Sequence, residues 1–320
     1  MGTPNTMYEK AVTIAWLAVI LVPLILSYLL FPVFLFVQRQ NRDADKLMPI
    51  YPIVQHFNFV VKLILSVALY TTIFWLVLRI SVHIPSFISL ILLVLSLGSI
   101  FMACSVPQVQ YILHFLLGLQ RFIIYFFPAC EKYVILSEKR LKILLGVLYS
   151  VFLVLDLWFL FVMYKSWGQK AFDEKASSDF GNFHVYILFG LNILQVIGAS
   201  FYIPIMMNVS KLSHLASAAL NKPQRYIKFQ IYTHLISRIA FFPCIFIYFT
   251  GERILSVLFF TTPIDVFLTP LTIQLSYLLC NRKNLQTFFK SPLKVIIKSL
   301  IFPNYRPTQV QPEVIQSTKY

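Results

Sequence analysis

The sequence predicts an all-α membrane protein, a bundle of seven transmembrane helices followed by an amphipathic cytoplasmic helix. Three observations carry this. Only 12% of the 320 residues are charged, against 58% apolar and 16% aromatic. A soluble domain is ordinarily about a quarter charged, so too little polar surface exists to face water on all sides. Apolar runs long enough to cross a bilayer recur along the whole chain. The bases behind the formal charge of +15 sit between those runs instead of forming one patch, which is the pattern of membrane topology and not of a nucleic-acid binder.

A helix needs about 20 apolar residues to cross a hydrocarbon core. The first run, 11–37, exceeds that and is far longer than the core of a cleavable signal, so it reads as an anchor that is retained. The second span is expected at 59–78, with Lys62 able to snorkel from one end. The stretch 84–127 has no acid and no base before Arg121, and could be one long helix or two short spans. Lys142 and Lys165 bracket a fourth span at 143–164, and 183–209, 231–250 and 254–280 complete the set. An outer loop is expected at 165–182, where Asp173, Glu174 and Asp179 make the chain polar.

Charge placement decides the number. With 84–127 taken as one span, only six of the 27 Lys and Arg residues (Lys10, Arg79, Lys165, Lys170, Lys175 and Arg253) fall on one side, and 21 on the other. With two spans there, every later loop changes sides and the asymmetry vanishes. The positive-inside rule therefore gives seven spans in one domain over residues 1–303, with the N-terminus outside. Residues 304–320 read as a polar, disordered cytoplasmic tail. Before that tail Leu285, Phe288, Phe289, Leu293, Ile296, Ile297 and Leu300 keep i, i+3, i+4 spacing. Lys290, Lys294 and Lys298 lie opposite, as in a helix resting on an anionic leaflet and bent near Pro292.

Cys104, Cys130, Cys244 and Cys280 have no metal or redox spacing, so neither a metal, a cofactor nor a disulfide framework is expected. No zinc-protease, nucleophile-elbow or phosphate-loop motif occurs, so catalysis is not expected either. The one glycosylation sequon, Asn208-Val209-Ser210, falls on the expected cytoplasmic side. No inverted repeat of the kind transporters carry is visible.

The residues of interest are polar groups inside apolar spans. Arg121 ends the third span beside Gln120, and reads either as a headgroup-snorkelling base or as a switch residue. His114 lies two turns earlier on the same face, as a core residue or a ligand contact. Asp156 and Asp265 are carboxylates within spans, which must turn into the bundle or toward water. Asp265 sits between Pro263 and Pro270 in the outer half of the seventh span and reads as pocket lining or as a structural acid, whereas Asp156 reads as structural. With Asn192 and Gln195 of the fifth span, Asp265 and His114 form the expected ligand-binding set. Pro243, in Phe241-Phe242-Pro243-Cys244, is the expected hinge of the sixth span.

Three segments resemble one known family. Gln120-Arg121-Phe122 followed by Ile124-Tyr125-Phe126-Phe127-Pro128, Thr269-Pro270-Leu271-Thr272-Ile273-Gln274-Leu275-Ser276-Tyr277-Leu278, and Tyr51-Pro52-Ile53-Val54-Gln55-His56-Phe57 are similar to the third span, seventh span and first inner loop of nematode serpentine chemoreceptors of class Z. The resemblance implies a G-protein-coupled receptor for a small chemical in the plasma membrane of sensory neurons, with a heterotrimeric G protein and membrane lipid as partners. Arg121, Gln120, Pro243, Pro270 and Tyr277 would be its signalling switch residues. The sequence departs from rhodopsin-like receptors, with Gln120 where an acid usually precedes the arginine and Thr269 where asparagine precedes the proline. The inner end of the sixth span carries Lys222, Arg225 and Lys228 and no acid, so Arg121 should be held by local hydrogen bonds or a loop acid. The competing reading is a transporter or channel subunit without G-protein coupling.

The charge asymmetry makes a topological prediction. Tags inserted after Ser137 and after Lys165 should report opposite sides of the membrane, with the Ser137 tag in the cytoplasm. Protease protection or tag accessibility in intact cells checks this, and finding both on one side rejects the single third span.

Overall fold

The chain was analysed as a computed structural model, which describes residues 6–46, 51–80, 86–134, 137–168, 174–211, 227–236 and 254–280, with positions 284, 286, 287, 289, 294 and 298. Every regular element among the described residues is helical. They are α1 (Thr6–Asp45), α2 (Tyr51–Ile80), α3 (Ser86–Phe126), a 3₁₀ turn (Pro128–Cys130), α4 (Glu131–Val134), α5 (Glu138–Gly168), α6 (Glu174–Ser200) and α7 (Tyr202–Lys211). Helical residues 227–236 (α8 here) and α9 (Ile254–Cys280) follow.

Among the described residues, five helices are long and apolar enough to span a membrane: Leu17–Asp43, Tyr51–Arg79, Leu90–Phe126, Glu138–Phe159 and Tyr186–Ile205. Pro263–Leu279 in α9 is a shorter apolar helix, and of the expected sixth span only 231–236 is described. Apolar side chains cover the outside, as Leu29, Leu69, Trp75, Val154, Trp158 and Phe161 show, each at least half exposed. That exposure is what lipid permits, because hydrocarbon exacts no penalty for apolar surface.

α3 lies at the centre, packed on α6, α5, α2 and α9, while α1 packs chiefly against α9. One core joins Phe34, Phe36 and Val37 of α1, Phe57, Val61 and Ile64 of α2, Leu113 and Leu117 of α3, and Ile273 and Tyr277 of α9. A second, smaller core sits between α3, α5 and α6 around Tyr111, Phe152 and Leu191. Phe34 of α1 meets Tyr277 of α9 edge-on at 5.4 Å, so the C-terminal halves of these helices lie side by side. Following the charge asymmetry, that end is called inner below.

Three boundaries differ from the sequence reading, each for a local reason. Residues 51–57, expected as an inner loop, are the first turns of α2. Pro52 is tolerated in a first turn, and Ile53, Val54 and Phe57 are buried against the core. Residues 174–182, expected in an outer loop, already belong to α6, although they are polar. The expected span 183–209 is interrupted at Phe201. Pro204 has no N–H to give the Ser200 carbonyl, and the last α6 ladder bond is Phe201 N–H to Ile197 O at 3.2 Å. By contrast α3 runs unbroken through Pro107.

α3 and α6 approach closely at glycines. A Cβ on Gly118 of α3 would stand 2.6 Å from the carbonyl oxygen of Gly198 on α6, and one on Gly198 would stand 3.0 Å from the Phe115 Cα. Small residues let backbones touch where lipid supplies no hydrophobic drive for association. Gly118→Ala should therefore destabilise the bundle by about 1–3 kcal/mol through overpacking against rigid backbone. Gly146→Ala is the control, since nothing lies within 4 Å of its Cβ. Thermal unfolding of the purified variants checks this, and equal stability of the two would contradict the crossing.

Candidate functional site

The inner end of α3 is tied by Gln120, whose Nε2 donates to the Val134 carbonyl of α4 at 3.0 Å. Arg121 beside it is half-buried, with an Nε that is buried and lacks a hydrogen-bond partner among the described residues. The ion pairs among those residues are Lys46–Asp43 at 3.2 Å and Lys142–Glu138 at 2.7 Å, and neither involves Arg121. Lys222 and Arg225 lie outside the described residues.

A chain of neutral hydrogen bonds joins three helices toward the inner half of α9. Ser276 Oγ donates to the Ile273 carbonyl at 2.8 Å, which uses its only proton. It therefore accepts from Gln230 Nε2 at 2.9 Å. That turns Gln230 Oε1 toward His114 Nε2 at 3.1 Å, and an amide oxygen there requires His114 to carry its proton on Nε2. His114 Nδ1 is then a bare acceptor, buried and without a partner. One turn away Gln110 Nε2 lies 3.5 Å from His234 Nε2. The His114 and His234 rings stand 5.7 Å apart, and Phe57 closes the other side of His114 at 6.0 Å. α3, α8 and α9 are thus joined with no charged group in the chain of bonds.

A second network closes the inner end. The Tyr277 hydroxyl donates to Asp45 Oδ2 at 2.5 Å, Asn284 Nδ2 donates to the Tyr277 carbonyl at 2.7 Å, and Asn41 Nδ2 donates to Asn284 Oδ1 at 2.7 Å. All four residues are buried, which fixes the end of α9 and Asn284 to α1.

Toward the outer half the acids differ. Asp156 of α5 is buried and accepts from Ser105 Oγ at 2.9 Å and Gln108 Nε2 at 3.1 Å, so both oxygens engage α3. Asp265 is buried in α9 below Pro263, on the face that carries Ser276 three turns later. Gln195 is buried with neither end of its amide partnered. Asn192 donates to its own helix at the Leu188 carbonyl, 2.7 Å away, leaving Oδ1 unpartnered. Pro270 is buried within α9. Pro243 lies outside the described residues.

His114 and Tyr277 thus fall in networks, and their partners Gln230, Asn41, Asp45 and Asn284 are the residues that sequence reasoning missed. The available signal was polar residues one turn apart inside apolar helices: Gln110 with His114, Gln230 with His234, and Thr269, Thr272 and Ser276.

A family model described as "Serpentine type 7TM GPCR chemoreceptor Srz" matches residues 17–282, which includes every described residue of both networks except Asn284. No curated protein and no solved structure matches the chain.

The inner network predicts an ordered mutant series. Asp45→Ala removes the acceptor of a buried phenol and should cost about 1–3 kcal/mol. Asp45→Asn keeps an oxygen for that bond and should cost less. Thermal melts of the purified protein check the order, and a cost as small for Ala as for a surface substitution would refute the contact.

Proposed function

We propose a function from one premise: the chain belongs to the serpentine type 7TM GPCR chemoreceptor Srz family. The protein is a chemosensory receptor of the plasma membrane, with its N-terminus outside and its C-terminus in the cytoplasm. It binds a small extracellular chemical in the outer half of the bundle, near Asp265, His114, Gln195 and Asn192, and activates a heterotrimeric G protein at the inner face. Arg121, Gln120, Pro270 and Tyr277 form the inner switch, and Pro243 is the hinge of the sixth helix.

The observation that supports this reading best is the His114–Gln230–Ser276 chain, between the outer acid and the inner arginine. A receptor must have a joint that both ends can bias, since a ligand shifts only an equilibrium between states it binds unequally. A chain of neutral hydrogen bonds between three separate helices is such a joint. Each neutral bond is worth about 0.5–1.5 kcal/mol net, so it holds one arrangement without fixing it. The Arg121 environment agrees: with no ion pair on the guanidinium among the described residues, the off state depends on that chain rather than on an inner charge lock.

Two outcomes test the proposal in membranes of a heterologous cell co-expressing G protein. Gln230→Leu cuts the chain, and basal nucleotide exchange should rise several-fold at unchanged surface expression, within the roughly 5- to 150-fold range of ordinary coupling energies. Asp265→Asn should change the response to an activating odorant found by a calcium-readout screen, while surface expression persists. Ion flux without nucleotide exchange would instead identify a channel or transporter.

A further inference from the structure

Threonines inside apolar helices normally satisfy their own hydroxyls. In α2, Thr71 Oγ1 donates to the Val67 and Ala68 carbonyls at 2.9 and 3.0 Å, and Thr72 Oγ1 donates to Ala68 O at 2.7 Å. The threonines of α9 behave differently. Thr269 and Thr272 are 0% and 1% exposed, and neither hydroxyl has a partner among the described residues. They share one helical face with Asp265 and Ser276, since positions 265, 269, 272 and 276 recur at i, i+4, i+7 and i+11. This face reaches α8 at its inner end, where Ser276 meets Gln230. On α3, which Gln230 joins to Ser276, His114 Nδ1 and Gln110 Oε1 are likewise buried and unpartnered among the described residues. Pro270 adds an acceptor, because it has no N–H for the Val266 carbonyl.

We infer that a file of ordered water molecules occupies the seam between α9, α8 and α3, running from Asp265 past Thr269 and Thr272 to His114 Nδ1. Several buried polar atoms without partners on one seam would each cost about 1–3 kcal/mol if the seam were dry. Two donor–acceptor hydroxyls, an amide oxygen and a bare imidazole nitrogen are what a bridging water needs, at the two to four polar partners that buried waters ordinarily make. The set between the threonines and His114 is neutral, which favours water over a cation. Positions 265 to 276 span about 16 Å of helix, enough for several waters in succession. The tautomer matters as well. With Nε2–H committed to Gln230, Nδ1 accepts a hydrogen bond from the last water, so the file ends on the joint between α3 and α8.

The test reads hydration and stability in the purified full-length protein in lipid nanodiscs, so it stands or falls apart from G-protein coupling. Thr→Val is the informative change, because it is nearly isosteric and removes only the hydroxyl. In a dry seam Thr272→Val removes an unpaired polar group, and the melting temperature stays or rises. In a wet seam it should fall by roughly 3–8 °C. Thr269→Val should do the same, Thr269→Ser should retain most of the stability, and Thr72→Val on the exposed side of α2 should shift it little. Hydroxyl-radical footprinting gives a second readout, since radiolysis of bound water oxidises adjacent side chains regardless of bulk exposure. His114, at 0% exposure, should be oxidised, and the yield should drop several-fold in the Thr269→Val/Thr272→Val double variant. An unlabelled His114 alongside labelled surface Tyr133, or a stabilised Thr272→Val, overturns the inference.

Discussion

The bond between His114 and Gln230 is the interaction on which the rest of the bundle's polar architecture depends. It links the central helix α3 to α8, and through Ser276 it reaches α9, so one side chain sets the relation of three helices. Its environment explains why it forms. A polar atom in the hydrocarbon region has no bulk water to fall back on, so leaving either partner unmade costs more than the bond itself contributes. The amide can satisfy the imidazole only by turning its nitrogen to Ser276. The serine accepts only because its own proton goes to Ile273. The orientation of four groups is therefore determined together, and the protonated nitrogen of His114 follows from a serine on another helix.

Around that joint the helices are held by means suited to lipid. Gly118 and Gly198 bring α3 and α6 into backbone contact where no hydrophobic effect drives them together. Asp156 presents both its oxygens to α3, which ties α5 to it by hydrogen bonds. At the inner end, Asp45 takes the Tyr277 phenol and Asn41 takes Asn284, fastening α9 to α1. The exposed pairs Lys46–Asp43 and Lys142–Glu138 add little, because solvent screening leaves such bridges at about 0–1 kcal/mol.

The sequence makes the helices legible and leaves their contacts hidden. Apolar length places four of the first five spans, charge asymmetry makes 84–127 a single one, and the unbroken α3 agrees with that reading. The boundaries fail where composition and geometry part. Residues 51–57 carry a proline and two polar residues, yet they wind into α2 because Ile53, Val54 and Phe57 bury one face. Gln230 stands one residue outside the span drawn from hydropathy, among Lys228 and Tyr232, so it looks like a loop residue although it is 0% exposed. Asp45 is concealed for the same reason. Beside Arg42, Asp43 and Lys46 it resembles solvated charge, and only the position of Tyr277, 232 residues away, makes it an anchor. Pairings across such separations have no local signature.

A joint built from neutral bonds also sets the scale of signal that can move it. Moving a two-state equilibrium from about 1:99 to 99:1 takes roughly 5.5 kcal/mol of differential affinity. A small chemical supplies on the order of 0.3–1.5 kcal/mol per heavy atom in total, and only part of that distinguishes the two states. A buried ion pair on Arg121 would raise the threshold, since separating one costs about 3–5 kcal/mol. The His114–Gln230–Ser276 chain asks for less, because each link contributes about 1 kcal/mol. In the receptor proposed above, hydrogen bonds in place of a charged lock would bring the change of state within reach of a ligand with few atoms. The same exchange would leave its off state shallow, so that basal activity and sensitivity would rise together.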